Sequence, residues 1–131
     1  DMIKYPGNLK TKTVRGQSSS PPGRRGEAMK KCRITVMRVA CYEDLMRRYE
    51  NPMEHACDLR EGQVFIANGW EKPKGLCDSA WESMSPFVMT LAHGGKNIYD
   101  GWMKNEKSAM ISCNDGFRPV SFLIEALDEE V

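Results

Sequence analysis

The chain has no Cys-x-x-Cys, no Gly-x-Ser-x-Gly and no long apolar run. The first absence removes the paired-knuckle zinc signature and the two-thiol redox motif. The second removes the nucleophile elbow of the α/β hydrolases. The longest strongly apolar stretch, Phe87 to Ala92, is broken by Thr90 and falls far short of the roughly 20 residues that cross a bilayer. No charged-then-apolar signal segment is found at the start and no internal repeat is present, so a cytoplasmic location away from the membrane is expected.

What is present is an ordinary globular composition. With 131 residues, 40% of them hydrophobic, the chain is long enough for one domain and one modest core. Its five cysteines, without a secretion signal, read as reduced thiols, ligands or reactive groups rather than a disulfide framework.

Charge divides the chain in two. Residues 1–28 carry six Lys or Arg against two acids, whereas residues 29–131 carry 13 against 16. The first segment includes Ser18-Ser19-Ser20-Pro21-Pro22-Gly23-Arg24-Arg25-Gly26, which has linker composition and no periodic apolar face. It is expected to be a disordered basic tail. A non-native leader is the other reading, because Met29-Lys30-Lys31-Cys32 resembles a translation start and the residues before it can be encoded by purine-rich codons. The basic residues are too sparse, and too little interleaved with aromatics, for a nucleic-acid partner to be expected.

From Met29 onward the pattern is regular. Cys32, Ile34 and Val36 alternate with Arg33, Thr35 and Met37, the period of a half-buried strand. Tyr42, Leu45, Met46 and Tyr49 share one helical face, and Asn51-Pro52 ends that helix. A second strand is expected over Gln63 to Ala67. Ser79-Ala80-Trp81-Glu82 has the capping-box form for a helix start, after which Trp81, Met84, Val88 and Leu91 line one face. Pro86 is expected to kink this helix or to start a second one capped by Ser85. Gly94-Gly95 supplies its stop, which argues against reading Gly94-Gly95-Lys96 as a phosphate loop. Ser108 to Cys113 and Val120 to Ala126 form a hairpin across Asn114-Asp115-Gly116. Together these predict a single α+β domain over residues 29–131, with a four-stranded antiparallel or mixed sheet and two or three helices on one face.

Chemistry is concentrated at Cys57, Cys77 and Cys113, each at the edge of an element and followed by Asp58, Asp78 or Asn114. Cys77 lies near a helix N-terminus, where a thiolate is favoured, and is the candidate nucleophile should the chain be an enzyme or a thiol redox protein. The three thiols with His55, or with His93, form an accepted tetrahedral set for zinc, and iron is the other candidate ion. Against this, the intervals of 19 and 35 residues between the cysteines enforce nothing locally. Packing of each thiol as a small apolar group is the plain alternative.

Met29-Lys30-Lys31-Cys32-Arg33-Ile34-Thr35-Val36, Glu61-Gly62-Gln63-Val64-Phe65-Ile66, Gly75-Leu76-Cys77-Asp78-Ser79-Ala80-Trp81 and Cys113-Asn114-Asp115-Gly116-Phe117-Arg118-Pro119-Val120 together resemble a family of short, uncharacterised prokaryotic proteins. The resemblance covers about residues 29 to 127. It implies a shared fold and a shared site or core at Cys57, Cys77, Trp81, Cys113, Asp115, Gly116 and Arg118, and it carries no activity.

The reading that follows is a small binding module with a thiol-containing pocket. Trp81, Asp115 and Arg118 are expected to contact the ligand, the last through its fixed fork of donors for a carboxylate or phosphate. A small molecule, a metal ion or a protein partner would suit it. An accessory subunit that docks a larger enzyme is a further alternative.

Overall fold

The computed structural model describes residues 28–53 and 57–131. The expectations for the basic segment, apart from Ala28, and for His55 lie outside the described residues. The elements run β1 (Lys30–Val39), α1 (Glu43–Tyr49), β2 (Val64–Ala67), α2 (Asp78–Ala92), β3 (Ser108–Ser112) and β4 (Val120–Glu130). The strands form one sheet in the order β2-β1-β4-β3, and every neighbouring pair is antiparallel. This is the expected small α+β domain, with the antiparallel arrangement selected over the mixed one.

Period-two alternation builds the sheet. Cys32, Ile34 and Val36 of β1 and Val120, Phe122 and Ile124 of β4 all point to one face and are buried. Their register sets Ile34 opposite Ile124 and Val36 opposite Phe122, so the two central strands meet through branched and aromatic pairs that favour strand pairing. Ala80, Met84, Val88, Leu91 and Ala92 of α2 seal the same face. The opposite face carries Arg33, paired with Glu125 at 3.1 Å, beside the exposed Val64, Ile66 and Met110.

Two helices are found among the described residues, as expected, and α2 is the one packed against three of the strands. α1 buries none of its residues, and the apolar face shared by Tyr42, Leu45, Met46 and Tyr49 stands largely in solvent, with Tyr42 45%, Leu45 38% and Tyr49 66% exposed and Met46 half-buried. A seven-residue helix is marginal alone. This one is fixed at its flanks, where Tyr42 N–H donates to Phe117 C=O at 2.8 Å and Ala40 N–H to Pro119 C=O at 2.9 Å.

α2 departs from expectation at two points. Its cap is Cys77, whose sulfur accepts the Ala80 N–H at 3.4 Å, rather than Ser79. Leu76 is buried and pins the chain, so the first turn begins at Asp78 and Ser79 is already helical. The Ser79 carbonyl instead accepts from the Ser83 hydroxyl at 3.3 Å. The helix also continues through Pro86. The carbonyl that loses its N–H partner belongs to Glu82, which lies with Pro86 on the exposed side, where water can replace the missing bond.

The helix stop is the expected one. Gly94 is left-handed at φ +86°, and Gly94 and Gly95 N–H donate to Leu91 and Thr90 C=O, the paired bonds of a Schellman ending. A Cβ on Gly95 would lie 2.7 Å from the Thr90 carbonyl oxygen, so only glycine fits there. The pair therefore terminates a helix and cradles no phosphate.

Candidate functional site

Three separate segments place a cysteine on one cavity of about 660 Å³. Each is positioned by a nearby buried apolar residue. Leu59 is buried two positions after Cys57, Leu76 immediately before Cys77, and Val120 directly across from Cys113. Gly75, at φ +89°, makes the turn that delivers Leu76 inward and Cys77 to the cavity. Because the anchors are core residues, the thiols inherit their placement from the packing of the fold.

Two of the sulfurs also accept a backbone N–H, Cys77 from Ala80 at 3.4 Å and Cys113 from Val120 at 3.3 Å, and the Leu59 N–H lies near the Cys57 sulfur. At Cys57 burial outweighs its N–H and pushes the thiol up, and nearby charge on Cys77, Cys113 and Asp58 acts in the same direction. Cys57 is therefore a neutral thiol at pH 7. Cys32 belongs to the core instead: it is fully buried, its sulfur donates to Val88 C=O at 3.7 Å, and burial pushes it up to about 11.

The two basic residues of the cavity are each paired with a carboxylate, and Asp115 is held by backbone donors. Asp115 Oδ1 accepts the N–H groups of Phe117 and Arg118 at 2.8 and 3.1 Å, which shapes the turn between β3 and β4. Lys72 pairs with Asp78 and holds that carboxyl below its ordinary range through a hydrogen bond and its charge. Arg118 lines the cavity, but its fork is closed on Glu50, with Nη1 and Nη2 at 3.0 and 2.8 Å from the two carboxylate oxygens. The bond to Glu50 raises the Arg118 pKa further. The expected ligand fork is thus a bidentate clasp between the turn and the residue that ends α1.

Trp81 is not among the residues lining the cavity and packs against the core instead. It lies one position beyond Ala80, where the α2 stripe turns away from the cavity. His93 ends α2 with Nδ1 2.7 Å from Met89 C=O and does not line the cavity either. Among the described residues, no group of three or more His, Cys, Asp or Glu side chains is arranged to hold a metal ion. The thiols share a cavity without forming a closed ligand set.

Glu50 carries no local signal, because its partner is 68 residues away. Gln63 and Lys72 also line the cavity, which only the packing of separate segments creates, so their place in it has no mark in the local sequence. The clasp makes a prediction: Glu50→Gln leaves the sheet intact but loosens α1. Hydrogen exchange at the amides of Met46 to Glu50 should accelerate at least several-fold while that of Ile34 and Ile124 stays unchanged. Equal protection at Met46 in both proteins would show that the backbone bonds to Phe117 and Pro119 suffice.

No protein-family model, curated protein or solved structure matches the chain.

Proposed function

We propose that the chain is a small cytoplasmic binding module whose ligand site is the cavity shared by Cys57, Cys77 and Cys113. The observation behind this reading is the convergence of three thiols, distant in sequence, on one concavity within the ordinary size range of small-molecule sites. All five cysteines are free, which suits a reducing compartment. The proposal extends to the short prokaryotic proteins that the chain resembles, whose Cys57, Cys77, Cys113 and Asp115 positions would then share this site.

A metal-binding version needs more than the described residues supply, since a structural zinc ion takes four ligands. An enzyme or redox version would use Cys77 as nucleophile, favoured by its seat at the N-terminus of α2. Among the described residues, no histidine lines the cavity beside it. A docking role finds support in one observation, the apolar face of α1 exposed at Tyr42, Leu45 and Tyr49.

Thermal denaturation across a panel of small metabolites tests the proposal. A ligand at about 100 times its Kd stabilises by roughly 2.7 kcal/mol, an upward shift in Tm of several degrees or more in a domain this size. Ser79 is exposed at the cavity edge, so Ser79→Trp narrows the entrance without touching the core. At least one compound should raise the Tm of the wild type and not that of this variant. Equal shifts in both proteins would move the site elsewhere, and no shift from any compound would reject it.

A further inference from the structure

We infer that the ligand of this cavity is a small organic cation carrying an ammonium group. The inference rests on the reading of the cavity as the ligand site and goes further by assigning the charge of what enters. Size speaks first. About 660 Å³ is far more than a single bare ion fills and is the space of a small organic molecule.

Charge decides the class. Two basic side chains line the cavity, Lys72 and Arg118, and both are already taken, by Asp78 and Glu50. Two further carboxylates, Asp58 and Asp115, also face it, and no ion pair among the described residues neutralises either. Among the described residues, the site and its immediate partners thus hold four carboxylates against two cations. The N-terminus of α2 adds only about half a positive charge, and one of its N–H groups is spent on the Cys77 sulfur. An anion entering here would meet a net negative wall with Lys72 and Arg118 already paired, whereas a cation would be drawn in.

The remaining lining suits an amine with an alkyl body. Leu59, Leu76 and Val120 offer apolar surface to a hydrocarbon chain. An ammonium group has three donors and no acceptor, which complements carboxylates and weakly accepting sulfurs. The thiol of Cys57, raised above its ordinary 9.0, enters as a neutral group and leaves the carboxylates to supply the attraction.

An isosteric probe series tests this: hexylammonium, hexanol and hexanoate, titrated into the full chain and followed by amide chemical shifts. Hexylammonium should perturb residues around Cys57, Cys77 and Cys113 and bind at least ten-fold tighter than hexanol, with hexanoate weakest. Asp58→Asn and Asp115→Asn should each weaken the ammonium at least three-fold and leave hexanol unchanged. The second keeps an oxygen for the turn at Phe117, and retention of the wild-type spectrum establishes that it folds. Equal binding of amine and alcohol in the cavity, or tighter binding of hexanoate, overturns the cationic assignment and leaves the cavity reading standing. Shifts that map outside the cavity also overturn the assignment. Failure of all three probes to bind the wild type, while Ser79→Trp behaves identically across the metabolite panel, removes both.

Discussion

Phe122→Ala should cost the domain about 3–5 kcal/mol, the range for truncating a buried phenylalanine. Phe122 is fully buried and heads the largest such side chains. It sits on a central strand with Val36 on one side and Ile111 on the other, so neither neighbour can collapse into the space without breaking pairing. Domains of this size have about 5–15 kcal/mol in total. A loss of this size therefore leaves a substantially unfolded population on modest warming. Urea titration measures it, with a lower midpoint and an unchanged slope if only packing is lost. Leu123→Ala, on the opposite face beside Thr35 and Met110, is the internal comparison and should cost clearly less. Equal costs at the two positions would contradict the burial of Phe122.

The second large effect appears at alkaline pH and belongs to Cys32. Its ordinary value is 9.0, and burial raises it to about 11 in the folded protein. The unfolded thiol thus ionises first, and above pH 9 the unfolded state binds fewer protons than the native one. Stability from this group is fully present below pH 9 and is lost as pH rises through 11. At about 1.4 kcal/mol for each tenfold difference in acidity between the two states, trimmed for water reaching the sulfur during local opening, the loss is about 2 kcal/mol. Cys32→Ala removes the titrating group. It should start less stable at pH 8, because it leaves a small void, and then decline less steeply between pH 9 and 11. Parallel declines would assign the alkaline loss to tyrosines and lysines instead.

The sheet was legible because strand alternation and burial are the same fact at two levels. Cys32-Ile34-Val36 can face only one way once β4 pairs with them. α1 shows where that logic stops. Tyr42, Leu45 and Tyr49 have helical spacing whether or not a surface lies against them, and periodicity does not report the partner. The Ser79 signature failed for a related reason, since the start of α2 is set by the burial of Leu76 and not by which hydroxyl is available. Arg118 does present a donor fork, but the carboxylate that closes it enters from a different segment. Each cysteine could be noticed from its place at an element edge. Their common cavity depends on where Leu59, Leu76 and Val120 pack, which only the assembled core determines.

The outer ends of β1 and β4 lie side by side, with Lys30 opposite Glu130 and Val131 N–H bonded to Met29 C=O at 2.8 Å. This unit can therefore be spliced into the loop of a host protein, because its entry and exit leave through a single narrow doorway. A circular permutant follows from the same geometry. A short bridge across that doorway, with a new opening at the exposed, left-handed Gly101, keeps every strand pairing and leaves the three-thiol concavity untouched.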